Sequence, residues 1–250
     1  MMESKLTRIS KFAAGVLLAS VAACGGGTGT VEAPETPVET VAAPDGRSWS
    51  EVITRTEEGG YVMGNPDAPV KLVEYGSLTC GACARFELAG SEELVQQYVE
   101  TGRVSWEFRN YIRDPIDTTA AIIARCGTDE QYFPFQRALF QSQQQWFGQG
   151  SAAVQNISMA GKEPGQVFAE IAEVTGLKTF AAQRGIAPAK VDACLADPAA
   201  AEELEAMRNF AFDEYGINST PSHLVNGILQ PGENAQWEGL GPVIATAVGE

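Results

Sequence analysis

The chain has 250 residues, with 17 Lys plus Arg against 32 Asp plus Glu, one histidine, five cysteines and a net charge of −15. A surface this acidic repels phosphate backbones and anionic lipid headgroups, which excludes a nucleic-acid partner and leaves solubility as the main effect of the charge. Beyond the N-terminal region about 200 residues remain, enough for one domain with a real core or a domain carrying a large insertion.

At the N-terminus, Lys5, Arg8 and Lys11 precede an apolar run from Phe12 to Ala23. A basic start followed by a short apolar run reads as a secretory signal over residues 1–23, and the run is too short to span a bilayer as a stable helix. Export is therefore expected. Val21-Ala22-Ala23-Cys24 sets a cysteine directly behind small residues and resembles a bacterial lipobox, in which Cys24 becomes the lipidated first residue of the mature protein. Ordinary cleavage after Ala23, with Cys24 unmodified, is the alternative. Residues 24–47 are rich in Gly, Pro, Thr, Glu and Ala without apolar periodicity and are expected to form a flexible tether. The folded domain is then 48–250.

Within it, Gly59-Gly60-Tyr61-Val62-Met63-Gly64-Asn65-Pro66 reads as a strand end and turn. Val70-Lys71-Leu72-Val73-Glu74-Tyr75 is short, apolar-rich and bounded by turn residues, so a buried strand is expected there. Phe86, Leu88, Leu94, Val95 and Tyr98 recur at helical spacing up to Thr101-Gly102, and the alternation from Val104 to Tyr111 predicts the next strand. Helical stretches over Ala120 to Cys126, Phe133 to Trp146, Gly165 to Thr175 and Ala201 to Phe212 form an insertion spanning about 117–215. His223-Leu224-Val225 and Ile228-Leu229, joined by Asn226-Gly227, carry the strongest short-range hairpin signal. A last helix is expected over about 235–248, with Gly239, Gly241 and Pro242 making its start irregular.

Between the strand at Val70 and the helix that follows stands Cys80-Gly81-Ala82-Cys83. Two cysteines at this spacing close a disulfide across one helical turn, and a helix starting there aims unpaired N–H groups and a positive dipole at Cys80. Thiolates so placed have pKa values lowered to about 3.5–7.5 and are good leaving groups in thiol–disulfide exchange. The same spacing serves half of a zinc site, yet Cys24, Cys126 and Cys194 are singletons and His223 is the sole histidine, so no second ligand pair exists. Neither a metal nor another cofactor is called for.

The element order, together with Glu74-Tyr75-Gly76-Ser77-Leu78-Thr79-Cys80-Gly81-Ala82-Cys83 and Gly216-Ile217-Asn218-Ser219-Thr220-Pro221-Ser222-His223, resembles the DsbA-like branch of the thioredoxin superfamily over about Gly60 to Val248. The resemblance implies an α/β thioredoxin fold with a helical insertion between its two sheet-forming halves. It also implies a thiol:disulfide oxidoreductase with Cys80 and Cys83 as the reacting pair. Pro221 matches the family's cis-proline and Thr220 the residue whose backbone holds substrate in an extended pose. Glu74 matches an acidic position beneath the motif that handles the proton of Cys83, whereas on a strand by itself a glutamate faces solvent. Gly81 and Ala82 depart from oxidising members that carry histidine inside the motif, and imply a weaker oxidant. Some relatives carry a second disulfide, and Cys126 with Cys194 suits one in an oxidising compartment.

The resulting expectation is a periplasmic oxidoreductase, lipid-anchored to a bacterial membrane through Cys24. It acts on exported proteins with cysteine thiols, is recharged by a membrane redox partner, and favours the oxidase direction. A reductase or isomerase of the same fold is one alternative. A second uses His223 with the two thiolates to deliver Cu(I) or Zn(II). A third is a lipoprotein that only binds partners through Phe133, Phe135, Trp146 and Phe147.

Overall fold

The computed structural model describes residues 29–250, so the basic leader, its apolar run and Cys24 lie outside the described residues. Strands β1 (Ile53–Arg55), β2 (Tyr61–Gly64), β3 (Val70–Gly76), β4 (Val104–Asn110), β5 (Ser222–Val225) and β6 (Ile228–Leu229) form one sheet in the order β1-β2-β4-β3-β5-β6. The apolar run of β3 earns it the central place: Val70 and Leu72 are buried, and the strand pairs parallel with β4 and antiparallel with β5. A strand covered on both faces reads as a nearly continuous apolar run, as this one does. Two charged residues interrupt it, Lys71, which is exposed, and Glu74, which is buried at 1 % exposure.

Helix α1 (Gly81–Ala89) starts directly after Cys80 and lays Phe86 on the sheet beside Trp106. Helix α2 (Ser91–Leu94) and a π-helical turn, Val95–Val99, lead into β4, completing the parallel crossover. Between β4 and β5 the chain is helical: α3 (Pro115–Ala124), α4 (Tyr132–Gln141), α5 (Gln149–Val154), α6 (Pro164–Val174), α7 (Leu177–Ala182), α8 (Pro188–Ala196) and α9 (Pro198–Tyr215). Every residue of α3 from Asp117 to Ala124 is buried, so it is the core of this block. Phe133, Phe135 and Trp146 are buried and Phe147 packs against the same core. They hold the fold together and do not form the partner-binding surface that their aromatic character allowed in sequence. Asn226 and Gly227 both take positive φ, 51° and 80°, the geometry of a two-residue hairpin turn between β5 and β6. Helix α10 (Trp237–Val248) closes the chain over β3 and β5.

The segment expected as a flexible tether differs. Val31, Val38 and Ala43 pack against the core, Val38 N–H donates to Val248 O at 2.9 Å, and Val41 N–H donates to Thr101 O at 2.9 Å. These apolar residues are too sparse to show a period, but they find the end of α10 and the loop before β4, which anchors the strap. Among the described residues no helix is long and apolar enough to cross a membrane.

Cys126, just beyond α3, is disulfide-bonded to Cys194 in α8, with Cα atoms 6.1 Å apart and a sequence separation of 68. Closing a loop of that length stabilises by about 4 kcal/mol in the chain-entropy account. Replacing both cysteines by serine is expected to lower the melting temperature by about 10 °C. Scanning calorimetry of the double variant beside the parent checks this.

Candidate active site

The turn from β3 into α1 places the two sulfurs. Cys80 is the N-cap of α1 in extended backbone, and Cys83 points inward from the first turn, fully buried. Both are free thiols. The Thr220–Pro221 peptide is cis, and Thr220 O accepts a hydrogen bond from Cys80 Sγ at 3.3 Å. The Thr220 hydroxyl is buried with no partner and sits free to donate to a Cys80 thiolate.

The Cys80 thiol is pulled down to about 5, first by its hydrogen bond with Cys83, then by Thr220 and the N–H groups of Cys83 and Ala82, against the opposing effect of burial. Burial is the largest cause that pushes the Cys83 thiol well up; Ser77 N–H, 3.4 Å from its sulfur, works the other way. Cys80 therefore carries the negative charge and Cys83 the proton at neutral pH.

Glu74 lies beneath this pair. It is opposite His223 on β5, and Trp106 Nε1 donates to its carboxylate at 3.2 Å. Burial, then the nearby Glu87 carboxyl, raises the Glu74 pKa well above the usual carboxylate range. Its charge also bears on Cys83, so a carboxyl with a raised pKa and a buried thiol lie close together beneath α1. Glu87, one turn beyond Cys83 on α1, is buried too and accepts from the Ser91 hydroxyl at 3.0 Å. His223 packs its ring 4.7 Å from that of Phe86, and neither ring nitrogen has a hydrogen-bond partner. Burial pushes it down to about 3, so it is neutral. Among the described residues, no group of three His, Cys, Asp or Glu side chains is placed to hold a metal.

A cleft of about 380 Å³ opens beside Ala82, walled by Ser219–Ser222 on one side and Gln230 to Ala235 on the other. Its lining includes Thr220 and cis-Pro221, whereas the larger cavity of about 850 Å³ is lined by Met63, Val95, Trp106 and Phe133.

A family model described as thioredoxin matches residues 56–245. The chain belongs to the thioredoxin family. A structure titled as a protein-disulfide isomerase from Novosphingobium aromaticivorans superimposes with a TM-score of 0.69 at 33% identity, covering 76% of this chain and 97% of that one. Wolbachia pipientis alpha-DsbA1 shares the fold with a TM-score of 0.62 at 22% identity, covering 78% and 94%. A Rickettsia bellii protein named for protein-disulfide oxidoreductase activity is 28% identical over 80% of this chain and 68% of its own length. Its Rickettsia felis counterpart is 28% identical over 71% and 56%. The chain thus spans between about half and two thirds of these two relatives. The named relatives are thus protein-disulfide oxidoreductases, and the solved structures that share the fold include a protein-disulfide isomerase and a DsbA.

Cys80, Cys83, Thr220, Pro221 and Glu74 are thus brought together, whereas Cys126 and Cys194 form a bridge within the helical block. Sequence reasoning missed Glu87, Asp117, Arg113 and Gln143. Glu87 had one local signal, its spacing four residues after Cys83, which puts both on one helix face. Asp117 and Gln143 come from the insertion and Arg113 from the loop just before it, and they carried none.

Glu74 also sets a pH dependence. Its native pKa is raised above the unfolded value of about 4.3, so the stability tied to its protonated form is fully present below that pH and is lost as pH rises toward the native pKa. Glu74→Gln mimics the protonated carboxyl, and is expected to shrink the fall in melting temperature between pH 5 and pH 8. An unchanged difference in thermal melts at the two pH values would count against a buried, raised Glu74.

Proposed function

We propose that Cys80 and Cys83 are the redox pair of an exported oxidoreductase that passes its disulfide to proteins bearing cysteine thiols. The observation that carries the reading is the Cys80 sulfur at the N-terminus of α1, facing Thr220 beside cis-Pro221, with Cys83 buried behind it. In the oxidised pair, a substrate thiolate attacks Cys80 Sγ, the Cys80–Cys83 bond breaks, and Cys83 leaves as a thiolate that takes the Glu74 proton. A second substrate thiolate then attacks the substrate sulfur of the mixed disulfide and releases Cys80 as a thiolate. Two electrons have moved to the protein and the substrate holds a new disulfide. The cleft beside Ala82 receives the extended substrate segment, with Thr220 as its backbone partner.

The depressed Cys80 pKa supports the oxidising direction, because stabilising the released thiolate stabilises the reduced protein. A value of about 5 lies between the roughly 7 of thioredoxin and 3.5 of DsbA. The basic, apolar leader ending at Cys24 supports export and lipid anchoring in the periplasm, where a membrane redox partner would reoxidise the pair. The isomerase title of the Novosphingobium structure favours disulfide isomerisation as a second reading, in which reduced Cys80 attacks first.

Equilibration with glutathione, using a Cys24→Ser protein, is expected to give a reduction potential of about −180 mV for the Cys80–Cys83 couple. A value near −270 mV would instead assign a reductase, since that is the potential of thioredoxin. Cys80→Ala should abolish exchange, and Cys83→Ala should trap substrate on Cys80 as a mixed disulfide visible by mass spectrometry.

A further inference from the structure

The loop Ser77–Thr79, which delivers the chain from β3 into α1, is held from the helical block. Asp117, in the first turn of α3, is 1 % exposed and accepts three hydrogen bonds. Leu78 N–H donates to Oδ1 at 2.9 Å; the Ser77 hydroxyl and Arg113 N–H donate to Oδ2 at 2.6 and 3.1 Å. Arg113 closes the cluster, its Nε donating to Ser77 Oγ at 3.0 Å and its Nη2 to Thr79 Oγ1 at 2.9 Å. The opposite edge of the same peptide is fixed by Gln143 Nε2, which donates to Leu78 O at 2.8 Å and Cys80 O at 3.1 Å. Asp117 thus meets neither sulfur, yet its partner Ser77 supplies the N–H that faces Cys83 Sγ, and Leu78 and Thr79 lead straight into the N-cap Cys80.

We propose that Asp117 is a positioning residue, which locks Ser77–Thr79 so that the first-turn N–H groups of α1 face Cys80 and the Ser77 N–H faces Cys83. A buried carboxyl is costly unless hydrogen-bonded, and this one commits both of its oxygens to the loop and the segment just before its own helix. Holding a helix start against motion is what lets its N–H groups act on an adjacent anion, because the effect is confined to the first turn. The inference rests on the reading of Cys80–Cys83 as the reacting pair.

The test compares the full chain with Asp117→Asn and with Ser77→Ala, each in a Cys24→Ser background. The Asn variant is isosteric but turns the atom that accepts from Ser77 and Arg113 into a donor. Ser77→Ala removes the hydroxyl joining Asp117 to Arg113 and leaves the Asp117 bond to Leu78 in place, which keeps the test alive if Asp117→Asn does not fold. Iodoacetamide alkylation of Cys80, followed from pH 3 to pH 8, reads its thiolate fraction. Below the wild-type midpoint the rate is expected to fall about two- to fivefold in Asp117→Asn, the size of a helix-terminus effect on one charge, and by less in Ser77→Ala. The glutathione equilibrium should shift in the same direction, toward a less oxidising couple. A lower melting temperature with unshifted alkylation midpoint and potential in the variants would overturn the positioning role while leaving the redox pair intact. An ordinary thiol titration of Cys80 in the unsubstituted protein would overturn both.

Discussion

Two sulfurs one helical turn apart are held in opposite surroundings, and that asymmetry governs the rest of the site. Cys80 caps α1, where the N–H groups of Ala82 and Cys83 face it and Thr220 borders it. Cys83 turns from the same first turn into a space without water contact. The geometry that keeps the two within reach of a disulfide therefore splits their acidities, down to about 5 for Cys80 and upward for Cys83. A nucleophile or leaving group at neutral pH is thus prepared at one position only, and the other sulfur is kept as a thiol until a base relieves it.

Keeping Cys83 dry demands that every polar group near it be neutral or paired. Glu74 meets this by accepting the Trp106 N–H, its pKa raised by burial; Glu87 meets it through Ser91, with Arg137 at 3.9 Å. His223 stays neutral against Phe86 with both nitrogens unpaired, a cost of about 1–3 kcal/mol that the packing of α1 on the sheet must offset. The parallel pairing of β3 with β4 and its antiparallel pairing with β5 brings Glu74, Trp106 and His223 under one helix. The sheet order thereby decides which side chains surround the buried thiol.

The legible parts of this site were those with short-range chemistry. The cysteine spacing, the apolar β3 and the Asn226-Gly227 turn each depend on a few neighbouring residues and read directly from the chain, whereas the Thr220-Pro221 step was legible only through the family resemblance. Glu74 was visible as a carboxylate interrupting an apolar strand, although its burial needed β4 and α1 to be in place. The strap from Val31 to Ala43 was opaque because isolated valines in a Pro- and Gly-rich stretch show no period; only the finished surface of α10 makes them useful. Asp117, Arg113 and Gln143 were opaque for a stronger reason. Their partners in the active loop lie between 34 and 65 residues away, and an Asp in the first turn of a helix looks like an ordinary dipole-matched residue.

The helical block is more than a lid of extra mass beside the sheet. Helix α3 begins with Asp117 at the active loop, and the chain leaving its far end reaches Cys126, whose disulfide ties it to α8. From Asp117 to Ala124 every residue is buried, with Thr119, Ala120, Ala121 and Ile123 wholly enclosed. A close-packed helix of ten residues transmits displacement because its interior leaves no free volume in which to absorb it. Asp117 at the active loop and the bridge to α8 therefore sit at the two ends of one close-packed helical support.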